Sequence, residues 1–217
     1  MNSQVEAYRP NTFLKLAAKI ISYIFHPLFL PTYVFFYLTQ QFPHAFPGMD
    51  ERDALFRSLV VFINTAFFPA FAIFLLWRLK FIESIFLRSQ KERIVPYILV
   101  MFFYWWIWYL SKNFADQPLV LRVFYLGIFL ATIPALIINN FFKISMHALG
   151  CGGVVAFMVI LAFAHDLHLG FQLSLAILIA GVVCTSRLIV SDHTNKEIYS
   201  GLIIGSLSQL IAAWVTF

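Results

Sequence analysis

Charged side chains are scarce in this chain: only 12% of its 217 residues are Asp, Glu, Lys or Arg, whereas 61% are hydrophobic. A water-soluble domain of this length needs far more polar surface to cover its core, so the composition excludes a soluble globular protein. The basic residues stand in short loops and form no continuous soluble surface, which argues against a nucleic-acid partner. The lipid bilayer is therefore the expected solvent.

Cysteine is also rare, and the pattern of a membrane β-barrel is missing. Cys151 and Cys184 stand in apolar segments without CxxC spacing, which favours small buried hydrophobes over redox or metal chemistry. The strict alternation of polar and apolar residues that a barrel strand needs is lacking. Since we find no long linker, low-complexity tract or internal repeat, residues 1–217 are expected to form a single integral membrane domain.

Long apolar runs make up most of the sequence. Crossing a bilayer core of about 30 Å takes roughly 20 residues per helix, and several runs approach this length. They predict an all-α, polytopic transmembrane helix bundle of six or seven spans, near residues 14–40, 55–78, 94–111, 119–141, 145–164, 170–186 and 198–217. Seven is the preferred number, and it falls to six if Pro27 and Pro31 break the first span.

The connections between these spans alternate between the two membrane faces. The N-terminal tail and the loops 79–93, 142–144 and 187–197 fall on one face, and this face collects every polar cluster of note. Lys and Arg are more frequent there, which favours the cytoplasm by the positive-inside rule. Several of those cations are themselves candidate site residues, however, so their excess does not decide the side.

The most informative polar segment runs from Ser186 to Glu197. If the chain becomes helical near His193, Glu197 lies one turn later on the same face, where its carboxylate orients the imidazole and stabilises its charged form. A histidine prepared in this way is a candidate nucleophile. Arg187 adds a planar fork of donors suited to phosphate oxygens.

Two further clusters carry candidate phosphate-binding residues. Lys143, Ser145 and His147 open the predicted span 145–164, where free backbone donors also attract an anion, although these side chains could equally cap the helix and snorkel. Lys91 and Arg93 lie in the loop before the third span. They suit either a phosphate or the anionic headgroups that anchor a membrane protein.

Other histidines and glycines of the sequence have simpler interpretations. His26 and His44 lack polar neighbours of this kind and are interpreted as interfacial residues. The glycines Gly201 and Gly205 follow the segment from Ser186 to Glu197 with GxxxG spacing, which is typical of close helix packing. Gly150, Gly152 and Gly153 are expected to let the fifth span approach its neighbours in the same way.

At these clusters the sequence resembles the type 2 phosphatidic acid phosphatase superfamily over residues 88–205. The third family signature, SRxxxxxHxxxD, is matched by Ser186, Arg187 and His193, with Glu197 in place of aspartate. The second, PSGH, is met at Ser145 and His147, while Ile144 and Met146 occupy its proline and glycine positions. The first, KxxxxxxRP, has Arg93 and Pro96 as its best counterpart, without the lysine and with the proline displaced by two residues.

The resemblance implies a phosphohistidine mechanism. His193 would attack the phosphoryl group, Glu197 would position its ring, and His147 would be the general acid, while Arg187, Arg93 and Ser145 would hold the phosphoryl oxygens. The scheme requires no metal and no other cofactor. Lys143 is our own candidate for the cation that the missing signature lysine would supply, and Lys91 competes with it.

The function expected from the resemblance is a membrane phosphatase acting on a lipid phosphate or polyprenyl diphosphate. Its partners would be this substrate and the membrane lipids, and we expect a multi-pass protein of the bacterial inner (cytoplasmic) membrane. The family usually works on the external face, against the direction of the positive-inside rule. The alternative is a catalytically inactive relative that binds anionic headgroups or serves as a membrane scaffold, as the incomplete first and second signatures suggest.

Overall fold

The computed structural model of the chain describes residues 11–87, 89–114, 116–164, 168–190 and 193–217, and within these ranges its regular secondary structure is helical throughout. The eight main helices are α1 (Thr12–Ile24), α2 (Leu30–Gln41), α3 (Glu51–Arg78), α4 (Gln90–Lys112), α5 (Leu119–Ile138), α6 (Met146–Ala164), α7 (Gly170–Ile189) and α8 (Asn195–Thr216). The predicted all-α, polytopic helix bundle is thereby confirmed.

Six of the described helices, α3 to α8, are long and apolar enough to cross a membrane. The structure supports six spans, the smaller of the two predicted numbers, because the region predicted as the first span forms two shorter helices. With 13 and 12 residues, α1 and α2 each rise by roughly 20 Å, which is less than the thickness of the hydrocarbon core.

The break between α1 and α2 follows from two prolines. Pro27 has no N–H to donate, and it disfavours the helical conformation at His26 before it. Pro31 stands in the first turn of α2, where a missing N–H costs little. The break lies against the start of α6, since a Cβ built on Gly150 would meet the Pro27 Cβ at 3.5 Å.

Helix α6 is the most buried of the six spans, and α8 packs closely along it. Glycine makes this approach possible: a Cβ on Gly201 would lie 2.7 Å from the Ser145 carbonyl oxygen. A Cβ on Gly205 would overlap the Leu149 carbonyl oxygen, and one on Gly152 would overlap the backbone of Leu202. The predicted role of these glycines in helix packing is confirmed.

Large apolar side chains cover the outside of the bundle. Trp214, Phe163 and Phe171 are about four-fifths exposed, at 84%, 80% and 77%, as suits side chains that face lipid. The contacts of charged side chains lie at the two ends instead. One end holds the ion pair between Arg57 and Asp116, and the other holds the predicted clusters.

Candidate active site

A cavity of about 510 Å³ lies at the end of the bundle where the predicted clusters meet. None of its described lining residues is an Asp or a Glu, so its ionisable character is basic. The basic side chains that line it are Lys19, His26, Arg93, Lys143, His147, Arg187 and His193. Such a concentration of positive charge within low-dielectric walls suits an anionic ligand.

The ends of four spanning helices bring the predicted residues to this cavity. Arg93 lies in the first turn of α4 and His147 in the first turn of α6. Arg187 lies in the last turn of α7, and His193 comes just before α8. Lys143 stands in the turn between α5 and α6. The expected placement on one face therefore holds for all five residues.

Hydrogen bonds to backbone carbonyls join the three clusters directly. The Arg93 guanidinium donates from Nη1 to the Ile144 carbonyl at 3.2 Å and from Nε to the Leu87 carbonyl at 2.9 Å. The Ser145 N–H donates to the Glu197 carbonyl at 3.2 Å. These bonds connect Arg93 and Glu197 to the turn before α6. The loops that line the cavity are therefore hydrogen-bonded to one another.

The His193 ring is almost fully buried, with 3% of its side chain exposed. Its Nδ1 lies 3.2 Å from the Glu197 Oε2 and 3.2 Å from the Lys143 carbonyl oxygen. Both neighbours are acceptors, so Nδ1 must carry the hydrogen, and in the neutral ring Nε2 keeps its lone pair. Since His193 lines the cavity, this arrangement provides a nucleophilic nitrogen there.

Burial lowers the pKa of His193 to about 4, helped by the positive charges of Arg93, Arg187 and Lys143, while Glu197 acts in the opposite direction. The ring is therefore neutral near pH 7. Glu197 orients His193 as expected, but its predicted stabilisation of the charged form is outweighed by desolvation and by the surrounding cations. A neutral ring is the form that a nucleophile requires.

Glu197 is itself held in place by the start of α8. Its carboxylate accepts from the Thr194 N–H at 2.8 Å, and the Glu197 N–H donates to the Thr194 hydroxyl at 3.4 Å. This reciprocal arrangement is a capping box. The same carboxylate thus caps the helix and orients His193, which ties the geometry of the ring to the formation of α8.

His147 is buried, with 9% of the residue exposed, and its Nε2 lies 2.9 Å from the Ser22 carbonyl oxygen. Because a carbonyl oxygen only accepts, Nε2 is the donor. The lone pair of the neutral ring is then on Nδ1. Any proton that His147 delivers into the cavity must accordingly leave from Nδ1.

The sequence interpretation missed the contribution of α1 and of the break after it. His26 lines the cavity, and its ring meets that of His147 edge to face with centroids 5.2 Å apart. Lys19 and Ser22 line the cavity from α1. Lys15, Lys19 and Ser22 stand at i, i+4 and i+7, so the sequence did contain the signal of a polar helix face.

Two predicted phosphate ligands lie elsewhere among the described residues. The Ser145 side chain is fully buried, and its hydroxyl accepts from the Ala148 N–H at 3.4 Å, as a helix cap does. Lys91 is exposed and lies outside the described set that lines the cavity. Arg88, Ser191 and Asp192, which belong to the predicted clusters, fall outside the described residues.

The described residues also bear on metal binding. Within them, no three His, Cys, Asp or Glu side chains come together in a group that could hold a metal ion. The seven basic side chains of the cavity instead offer nitrogen donors and positive charge, which suit phosphate oxygens.

Comparison of the chain with protein families, with curated proteins and with solved structures finds no match. The resemblance to the phosphatase superfamily therefore rests on the signature residues alone. What the structure contributes is the meeting of His193, Arg187, Arg93 and His147 at one cavity.

Proposed function

We propose that the chain is a membrane phosphatase of the bacterial inner membrane that hydrolyses a lipid phosphate or polyprenyl diphosphate. The observation that supports this best is the state of His193: a buried, neutral imidazole, hydrogen-bonded through Nδ1, at a cavity lined by four Lys and Arg side chains. A lone pair on Nε2 among cations is suited to attack on an anionic phosphoryl group.

In the proposed first step, Nε2 of His193 forms a bond to phosphorus as the bond from phosphorus to the leaving oxygen breaks. The electron pair of the broken bond stays on the leaving oxygen, which takes a proton from His147. Arg93 and Arg187 hold the remaining phosphoryl oxygens, and their charge offsets the charge that develops in the transition state. Lys143 adds a third cation to this cluster.

In the second step, water attacks phosphorus and the bond to His193 breaks. The electron pair returns to Nε2, and inorganic phosphate is released. The proton lost by the attacking water restores the acid form of His147, which is how one group serves as acid and then base.

The apolar part of the cavity wall supports a lipid substrate. Ile73, Ile85, Phe86 and Val100 line the cavity together with the basic residues. A substrate that carries a hydrocarbon chain next to its phosphate can place both in such a cavity, because its polar and apolar parts each find a matching wall.

The proposal is tested by release of inorganic phosphate from phosphatidic acid, phosphatidylglycerophosphate and a polyprenyl diphosphate by the purified protein. We expect activity on at least one of them, inhibition by vanadate as an analogue of the transition state, and loss of at least about 1,000-fold in His193→Ala. The exposed His44, in the Pro43–Ala45 turn, provides the control His44→Ala, which should retain full activity.

Binding of anionic vesicles without phosphate release would instead favour the inactive headgroup-binding relative. Full activity of His193→Ala would rule out the histidine nucleophile. The two results are distinct, since the first concerns the chemistry as a whole and the second concerns the residue that performs it.

A further inference from the structure

Two of the last four carbonyl groups of α1 accept hydrogen bonds from side chains outside the helix. The final four carbonyls of a helix have no partner within it. In α1 the Ile21 carbonyl accepts from the Phe25 N–H at 2.9 Å and the Tyr23 carbonyl from the His26 N–H at 3.3 Å. The other two accept from distant side chains: Ile24 from the Tyr33 hydroxyl at 2.9 Å, and Ser22 from His147 Nε2 at 2.9 Å.

The break after α1 leaves the Ser22 carbonyl available. Continuation of the helix would bring the His26 N–H to this oxygen, but Pro27 disfavours the helical conformation at His26. The His26 N–H bonds to Tyr23 instead. The helix therefore ends where its last turn can reach α6, and His147 takes the place of the missing backbone donor.

The end of α1 is also an electrostatic partner for His147. Helix carboxyl ends carry a partial negative charge, which favours a cationic imidazole close to the last turn. The Nε2 to carbonyl bond strengthens when the ring is protonated, since charge-assisted hydrogen bonds are the stronger kind. The Ser22 carbonyl therefore favours the protonated ring, whereas the burial of His147 and the positive charge of Arg187 at the same cavity act against it.

We propose that α1, acting through the Ser22 carbonyl, is the positioning element of the general acid, and that His147 delivers its proton from Nδ1. This rests on the proposed phosphatase function. As the bond from phosphorus to the leaving oxygen breaks, that oxygen keeps the electron pair and takes the Nδ1 proton, and His147 becomes neutral with Nε2–H still bonded to Ser22. Ser22 touches no reacting atom and is a positioning residue.

The packing around the break holds this geometry. The Ser22 hydroxyl donates to the Ala18 carbonyl at 2.9 Å within α1, so the hydroxyl is held by its own helix while the Ser22 carbonyl bonds to His147. Gly150, one turn along α6 from His147, admits the Leu30 side chain, which a Cβ would meet at 2.7 Å. The segment after the break is thereby packed against α6 one turn from His147.

The first test reads the hydrogen bond without relying on activity. In the full-length protein labelled with ¹⁵N-histidine, the neutral His147 ring should be protonated at Nε2, with the signal assigned by its loss in His147→Gln. A neutral ring protonated at Nδ1 would overturn the proposal. This result does not depend on whether the protein is a phosphatase.

The second test weakens the carbonyl itself. Replacing Tyr23 with its α-hydroxy analogue turns the Ser22–Tyr23 amide into an ester, whose carbonyl is a poorer acceptor. The matched control places α-hydroxyisoleucine at position 24, which weakens the Tyr23 carbonyl and leaves that of Ser22 intact. Both changes remove one backbone N–H from the same helix, so the difference between their effects on kcat reports the bond from His147 to the Ser22 carbonyl.

We expect the ester at position 23 to lower kcat for an alkyl phosphate roughly tenfold, and to leave p-nitrophenyl phosphate within about twofold, because a good leaving group needs little protonation. The control should change neither. Equal losses on both substrates would indicate a structural role and contradict the proposal. Absence of phosphate release by the unaltered protein would refute the proposed function while leaving the tautomer result standing.

The pH dependence gives a further readout, because breaking the bond to Ser22 destabilises the imidazolium. The limb of the kcat profile that reports the acid should move to lower pH in the ester at position 23 and stay in place in the control. A limb that does not move would contradict the proposal. The other charged or titratable groups among the described lining residues are common to both proteins: Lys19, Tyr23, His26, Arg93, Tyr97, Tyr104, Lys143, Arg187 and His193.

Discussion

His193 is subject to opposing influences that together determine its chemistry. Burial and three neighbouring cations favour the neutral ring, whereas Glu197 favours the charged one, and the first group prevails. The Glu197 carboxylate and the Lys143 carbonyl both accept from Nδ1, and they do so whether the His193 ring is neutral or protonated, so the orientation of the ring does not depend on its charge. In the proposed mechanism, the residue can therefore act as a nucleophile at neutral pH without first having to lose a proton.

This balance predicts the titration of His193. In Arg187→Gln its pKa should rise from about 4 toward the ordinary value of about 6.5, because a nearby positive charge is removed, and in Glu197→Gln it should fall further. NMR titration of ¹⁵N-histidine-labelled protein measures both shifts, with His193→Gln assigning the signal. Shifts of the opposite sign would show that the electrostatic account is wrong.

Arg93 and Lys91 form a natural pair of basic residues for comparison, since both start α4 but only Arg93 lines the cavity. Arg93→Gln should lower kcat/KM for the lipid phosphate by roughly 100-fold, as loss of one donor to a developing charge does. Lys91→Gln should stay within about twofold. Phosphate release measures both, and melting temperatures separate lost catalysis from lost folding. Equal losses would remove Arg93 from the site.

At the scale of the helix, the glycine contact between α6 and α8 holds together the loops that carry the candidate site. Gly201 faces the Ser145 carbonyl oxygen, and the adjacent Ser145 N–H bonds to the Glu197 carbonyl. The close approach of the two helices therefore sets the separation between the start of α6, which carries His147, and the start of α8, which follows His193. Packing and site geometry are coupled.

Substitution within this contact should be costly. Gly205→Ala forces a Cβ against the Leu149 carbonyl oxygen and should destabilise the fold by about 1–3 kcal/mol. In the control Gly181→Ala, the new Cβ has no described atom within 4 Å apart from its chain neighbours and the nearby backbone of its own helix, so the gain in helix propensity should leave stability equal or slightly higher. Thermal unfolding in detergent measures both, and equal melting temperatures would contradict the packing account.

The sequence predicted α3 to α8 because each contains a long apolar run. It predicted the His193 to Glu197 contact from their four-residue spacing at the start of a helix, and the contact forms although His193 lies just before α8. It failed at the first span, where Pro27 turns one run into two helices. It also failed at His26, which lines the cavity only because the end of α1 packs against α6. The bond from His147 to Ser22 that joins these helices links residues 125 apart and arises only from packing. The local periodicity of the sequence cannot predict a contact between residues so far apart.

Across the whole molecule, the polar chemistry is divided between the two ends of an apolar bundle. The cavity and its seven basic side chains occupy one end, while the Arg57 to Asp116 ion pair ties α3 to the segment before α5 at the other. The lipid-facing surface between them holds the molecule in the bilayer. In the proposed function, the phosphate of a lipid substrate enters the cavity while its hydrocarbon part stays in the lipid.

The central claim, a nucleophilic His193, is tested most directly by trapping the intermediate. The purified protein is mixed with ³²P-labelled lipid phosphate, quenched in alkali within the first turnovers, and analysed for protein-bound label. We predict a phosphoryl group that is stable in alkali and labile in acid, located at His193 and missing from His193→Ala. Turnover without such a label, or a label that persists in His193→Ala, would contradict the account.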